Sequence, residues 1–443
     1  MRIFLTLFFV VLFIIMSTIM IIFERDKPKN IIIWLVVFLL SSVVGYAIYL
    51  ITRIVVMKKI ASLNKKESED TIFHGLINKN LKDVAIDSES DLFAFNNLAY
   101  NSNVTNNNYY EIYNTYDRFI SVLADSLKSA NNKIVFEVSD INLKNYDEIV
   151  NILIDKAKGG VQVFFVYDYV HGFGYLSKMK NAGIKVGRFS KYNTLGRIYS
   201  NRRNIITIDS KIAFLGNFNL KKCHLTGENM VAHTFMKLKG NVVQDIDLCA
   251  HQDTVFARGK YVEYVPACID NYSNNVELQY VANTVNSDIE LLLIKAICSA
   301  KTSIQMQLSE FVPTESIMSL LKFAINSNID VKLMIPMKSN RHSKYYASRA
   351  YAKELALIGA NVYLYDGYIQ FNSVVIDNEY AIFGSFSFDR EHISLSLQNV
   401  LTMKDSKAIN YFNKIFETGI VNSYRINNAK YMLLREKFFK NFV

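Results

Sequence analysis

Histidines and clustered acids do most protein chemistry, and in this 443-residue chain they are sparse. The seven histidines stand at 74, 171, 224, 233, 251, 342 and 392, and each could serve as nucleophile or proton carrier near neutral pH. His171 follows the apolar run that ends at Tyr167-Asp168, His342 lies after Ile335-Pro336, and His392 comes eight residues after Gly384. These three could approach a cleft lined by strand ends. No His-Cys-Asp/Glu spacing suggests a metal. Cys223, Cys249, Cys268 and Cys298 fit neither a zinc pattern nor a disulfide framework, so they read as reduced thiols. No metal and no cofactor is expected.

Two stretches carry the same pattern of residues. Residues 208–220 read IDSKIAFLGNFNL and residues 376–388 read IDNEYAIFGSFSF, 168 positions later. In each, an apolar strand ends at an aspartate (Asp209, Asp377), turns, and returns to a glycine (Gly216, Gly384). One copy alone would be an ordinary hairpin with Asp as a turn residue. Upstream, Ser129-Ala130 before IVFEV recurs as Ser299-Ala300 before IQMQL, and Val161-Gln162-Val163 recurs as Ile329-Asp330-Val331. Three matches in order at nearly one offset mean a duplicated unit. Helical stretches alternate with short apolar runs, so the unit is an α/β layer structure. Duplicated units pair readily about a pseudo-two-fold axis, which brings equivalent strand ends together in one cleft. The expected repeats are 105–262 and 263–443.

Composition excludes several other classes. With 51% hydrophobic and 20% charged residues, four prolines and seventeen glycines, the chain is neither disordered nor collagen-like. The net charge of +10 favours an anionic partner, either nucleic acid or a membrane surface. Two uncharged runs decide for the membrane. Ile3 to Phe23 and Ile31 to Ile51 each hold 21 residues, enough at 1.5 Å per residue to span a ~30 Å hydrocarbon core. Between them lies the polar turn Glu24 to Asn30, with Pro28 as helix breaker. The first run is too long for a signal peptide, and no small-residue cleavage site follows it. Arg53, Lys58, Lys59, Lys65 and Lys66 outnumber Arg25, Lys27 and Lys29 of the short loop, which puts both ends in the cytoplasm. The expectation is a two-helix transmembrane anchor over 1–59, a polar connector over 60–104, and a main domain on the cytoplasmic face of the cell membrane. No basic-aromatic recognition motif supports nucleic acid as a partner.

On these features the chain resembles the bacterial cardiolipin synthases of the phospholipase D superfamily. FERDKPKNIIIWLVVFLLSSVVGYAIYL, LKSANNKIVFEV, KAKGGVQVFFVYD, NAGIKV, KGNVVQDI, CSAKTSIQMQLSEFVPTES and KLMIPMKSNRHSKYYASRAYAKELALIGANVYLYD fall in the family's order over nearly the whole chain. The resemblance implies two phospholipase D-like α/β repeats behind a membrane hairpin. It implies phosphatidyl transfer between phosphatidylglycerol molecules, with release of glycerol. In the family each repeat carries H-x-K-x-x-x-x-D and a Gly-Gly or Gly-Ser turn with Asn downstream. One His attacks phosphorus, the other protonates the leaving alcohol, and the two Lys neutralise phosphate oxygens.

Here the reacting residues are replaced. The His positions hold Arg202 and Gln370, and the Lys positions hold Asn204 and Asn372. Asp209, Asp377, Gly216, Asn219, Gly384 and Ser385 remain, and a downstream Glu of the family aligns with Gln398. Arginine stays protonated near neutral pH and amides are poor nucleophiles. Losing a covalent nucleophile costs on the order of 10⁴ to 10⁶ in rate. No intact catalytic set is therefore expected, and the chain reads as a pseudoenzyme of phospholipid metabolism. Guanidinium groups bind phosphate without chemistry, so Arg202, Arg203, Asn219 and Ser385 are the candidate lipid-phosphate ligands. The expected partners are an anionic phospholipid such as phosphatidylglycerol or cardiolipin, the membrane, and an active cardiolipin synthase paralogue. The alternative is an active cardiolipin synthase with a rewired site.

Overall fold

A computed structural model describes residues 90–189, 200–218, 230–260, most of 263–426, and 434–442. Before residue 90 it describes only parts of 10–21 and of 34–53, all helical. The expected anchor therefore lies mostly outside the described residues. Among those residues no helix is long and apolar enough to cross a membrane. Within the described parts, Met20, Phe38 and Tyr49 bury against one another beside Phe13 and Trp34. Val10, Ile14, Val36, Leu39 and Ile51 stay exposed.

The first repeat is a seven-stranded sheet. Its strands are β1 (Asn108–Tyr113), β2 (Lys133–Asn142), β3 (Gln162–His171), β4 (Lys185–Arg188), β5 (Ile205–Ile208), β6 (Ile212–Gly216) and β7 (Phe235–Gly240). Their spatial order is β1-β7-β6-β5-β2-β3-β4. The second repeat rebuilds this with β8 (Glu277–Ala282), β9 (Ser303–Gln307), β10 (Asp330–Pro336), β11 (Asn361–Tyr365), β12 (Asn372–Ile376), β13 (Tyr380–Gly384) and β14 (Asn399–Lys404). The order is again β8-β14-β13-β12-β9-β10-β11, extended at one edge by β15 (Ser423–Arg425) and at the other by Val104–Thr105. In each half three neighbouring strands are parallel and the rest antiparallel. The duplication read from three short matches thus covers an entire sheet topology.

Period-two alternation sorts the strand residues between two faces. In β2, Ile134, Phe136 and Val138 enter an outer core with helices α2 (Tyr116–Lys128) and α3 (Asp147–Lys158), while Val135 points the other way. In β9, Ile304 and Met306 enter the matching outer core with α6 (Glu290–Ser299) and α7 (Glu315–Asn326). Between the two sheets lies a third core that includes residues of α5 (Val242–Arg258) and α9 (Ser406–Val421). The helices form where the sequence supplies caps and apolar stripes. Thr314 accepts from the N–H of Ile317 to start α7, which buries Ile317, Met318, Leu321 and Ala324. Asp405 accepts from Ala408 to start α9, which buries Ala408, Phe412 and Phe416. The end of the expected connector is ordered too: α1 (Asp91–Tyr100) and Val104 pack into the second repeat's outer core, although they precede the first repeat in the chain.

In the first turn of α5, burial pushes the Asp245 carboxyl up to about 7. The neutral acid is therefore favoured in the fold, and stability falls as pH rises from about 4, the unfolded value, towards 7. Asp245→Asn should remove this decline. Urea melts of the variant and parent should agree below pH 4, with the variant the more stable at pH 8.

Candidate functional site at the junction of the two repeats

Two short parallel pairings join the halves. Ser200–Asn201 pairs with Ser396–Leu397, and Tyr368–Ile369 pairs with Val231–Ala232. Ser200 and Tyr368 hold the same place in the repeat. Each pairing leads directly into a first motif position. The N–H of Arg202 donates to the Leu397 carbonyl at 2.8 Å, and that of Gln370 to the Ala232 carbonyl at 2.9 Å. Arg202 and Gln398 are thus the residues that directly follow one pairing, and Gln370 and His233 those that follow the other. The motif residues also reach the other half through their side chains. Arg202 Nη1 lies 4.0 Å from Glu310 Oε1, and Gln370 Oε1 accepts from Asn217 Nδ2 at 3.0 Å.

Asn204 and Asn372, which the resemblance sets at the family's Lys positions, form a symmetrical pair of clamps. Asn204 Oδ1 accepts from the Ser139 N–H at 2.9 Å and from the Ser139 hydroxyl at 3.1 Å. Asn372 Oδ1 accepts from the Ser309 N–H at 2.8 Å and hydroxyl at 3.0 Å. Asparagine suits Asn204 in particular, because the backbone there has φ of 50°, a left-handed conformation that Asn tolerates better than most residues. Ser139 and Ser309 are 170 positions apart, the offset already seen for Ser129 and Ser299. That match could have been read from the sequence.

The retained aspartates hold the opposite end of each strand pair. Asp209 comes seven positions after Arg202, at the far end of the four-residue strand β5. Asp209 accepts from the N–H groups of Asn131, Asn132 and Lys133 at 2.7–2.8 Å. Asp377 accepts from Lys301, Thr302 and Ser303 in the same way, and from the Thr302 hydroxyl. Burial opposes ionisation of Asp377, but the Ser303, Thr302 and Lys301 donors outweigh it and hold the carboxyl below its usual range. The role that these bonds give the two aspartates is structural. Both turn positions need glycine for steric reasons, since a Cβ on Gly384 would sit 2.3 Å from the Asn399 carbonyl oxygen and one on Gly216 2.9 Å from the Phe235 ring.

The expected phosphate ligands are mostly engaged with protein. Arg203 is buried, with Nη1 2.6 Å from Asp253 Oδ2 and Nη2 on the Asn283 carbonyl, so it acts as a structural cation. Asn201 links Asp253 to Glu137, whose acid is pushed up by burial and by Asp253, against the pull of Arg203. Ser385 bonds through Oγ to the Asn399 N–H at 2.9 Å. Gln398 is fully buried, accepting from Ser387 and donating to Ser396. Asn219 and His392 lie outside the described residues. His171 and His342 are exposed at the ends of strand–helix loops. Among the described residues no acid, His or Cys cluster could hold a metal.

His233 was not singled out from the sequence as a cleft residue. It is buried and stacks on Phe235 at 5.5 Å between ring centroids. Phe235 pairs with Gly216 as Val400 pairs with Gly384, so His233 is the first repeat's counterpart of Gln398. The residue two places before a strand gave no sequence signal of this equivalence, because the segments around 233 and 398 share no residues.

The profile "Cardiolipin synthase, PLD-like domain" matches residues 293–420. Cardiolipin synthase 2 of Bacillus anthracis is 30% identical over 333 residues, covering 70% of this chain and 64% of that protein's length. Cardiolipin synthase of Oceanobacillus iheyensis is 25% identical over 92% of this chain and 90% of that protein. The chain belongs to the bacterial cardiolipin synthase family. The fold of this family member is also that of a phosphatidylserine synthase from Haemophilus influenzae, which superposes with a TM-score of 0.58 over 75% of this chain and 92% of that one at 10% identity.

Asp377→Asn tests the structural role of the aspartates. Loss of charge-assisted bonds at a partly exposed site should cost about 1–2 kcal/mol at pH 7. Because the folded carboxyl is held low, that contribution is present above about pH 4 and lost as pH falls through the folded value. Urea melts should therefore show parent and variant converging below pH 4.

Proposed function

We propose that this chain is a membrane-anchored cardiolipin synthase relative that does not transfer phosphatidyl groups. It would work instead by binding anionic phospholipid at the cytoplasmic face of the cell membrane, beside an active synthase. The observation that carries the reading is the pair of Asn–Ser clamps, Asn204 with Ser139 and Asn372 with Ser309. Each stands where the family supplies a phosphate-neutralising lysine, and both halves have made the same exchange. Arg202 meets Glu310 and Arg203 meets Asp253, so neither cation offers an uncompensated charge to a phosphorus centre. Arg202 remains partly accessible, with its acid 4.0 Å away, and a phosphate could compete for it without chemistry. The apolar surfaces of Val10, Ile14, Val36, Leu39 and Ile51 support the anchor.

A second reading is an active synthase with a rewired site, and His233 is the observation in its favour. His233 brings an imidazole to the junction directly after the strand that pairs with Tyr368–Ile369, instead of at the motif position itself.

The full chain in phosphatidylglycerol vesicles separates the two. The first reading expects no glycerol release above that of protein-free vesicles, and co-purification of a family paralogue that does release it. Release abolished by His233→Ala would establish the second reading. Release that survives both His233→Ala and Arg202→Gln would overturn both.

A further inference from the structure

We infer that the rim of this junction, formed by the segments that follow β3 and β10, rests on the surface of an anionic bilayer. The inference builds on the membrane reading above. β2 and β3 run parallel, with Lys133 opposite Gln162 at one end and Asn142 opposite His171 at the other. Asp209 pins the first end, and the Asn204–Ser139 clamp sits towards the second. The segment from Tyr169 into α4 (Phe173–Asn181) therefore stands beyond the site end of the sheet.

This segment is built unlike a solvated loop. Phe173 is 75% exposed and Tyr169 51% exposed, and neither enters a core cluster among the described residues. The Tyr169 ring stands edge-on to His171 at 4.9 Å. Basic side chains lie in the same region: Lys178 Nζ is 5.4 Å from the ring centre of Tyr175, which packs on the outer core and bonds Asp147, and the Lys144 stem runs beside Gly172. Aromatic rings with lysine stems beside them suit the boundary between headgroups and acyl chains, where the rings enter and the ammonium groups meet lipid phosphate.

The second repeat presents the counterpart. β10 ends at Pro336 on the site side and leads to Lys338 and then to Arg341 and His342, both exposed, at the start of α8 (His342–Leu357). The shared topology sets this basic segment on the other flank of the junction. Charge selects the occupant. A net charge of +10 and cations on both flanks fit an anionic lipid surface.

The chain has one tryptophan, Trp34, so the double variant Trp34→Phe/Phe173→Trp carries its only indole on the rim. The full-length protein is reconstituted in vesicles of phosphatidylglycerol and phosphatidylcholine, with and without bromine on the acyl chains. Brominated lipid should remove most of the emission at position 173, and adding Lys144→Glu and Lys178→Glu should restore most of it. Tyr169→Trp in the Trp34→Phe background provides a second indole if the first variant folds poorly. Emission at both rim positions untouched by bromine, while Trp34 of the parent is quenched, would overturn the inference and leave the anchor standing. If Trp34 is not quenched either, the anchor falls and the inference falls with it. Equal quenching in phosphatidylcholine alone, unaffected by the two Glu substitutions, would overturn the anionic requirement and leave only apolar contact.

Discussion

The architecture turns on two backbone hydrogen bonds, Arg202 N–H to the Leu397 carbonyl and Gln370 N–H to the Ala232 carbonyl. Each closes a two-residue parallel pairing that carries one half's chain against the other. Everything at the junction follows from that register. It fixes which residues directly follow each pairing, Arg202 and Gln398 after one, Gln370 and His233 after the other. It also lets Arg202 and Gln370 engage Glu310 and Asn217 across the interface. A polar network then ties the seam, with Arg203 donating to Asp253 in its own half and to the Asn283 carbonyl in the other. A slip of one residue would turn every one of these side chains to the opposite face.

Much of this was legible in the residues. The repeated Asp-to-Gly hairpin gave the duplication, and strand alternation with capped amphipathic helices gave the layers. The chemistry of the aspartates was harder to read, because a carboxylate that pins three backbone N–H groups and one that assists a reaction look alike in sequence. The four-residue strand β5 separates the two roles in the first half. Arg203 and Arg202 both read as candidate phosphate ligands, yet Arg203 is buried against Asp253. His233 and the Asn–Ser clamps escaped because each depends on a partner across a strand or in the other half, and pairing register is not written in local composition.

The junction of this cardiolipin synthase family member has a polar, hydrogen-bonded interior. The Asn–Ser pairs match between the halves, whereas Arg202 meets Glu310 and Gln370 meets Asn217; a buried amide left without partners would cost about 1–3 kcal/mol. Asn204 and Asn372 instead make the same two bonds in each half. A lysine at either place would break its clamp, so each asparagine stabilises the strand packing of its own half.

The central claim is that no side chain at this junction forms a bond to phosphorus. The direct measurement is to incubate the full chain with phosphatidylglycerol carrying labelled phosphate, quench it, and look for acid-labile label on the protein. The account predicts none above that of a heat-denatured control. Acid-labile label that maps to a histidine, His233 above all, would contradict it.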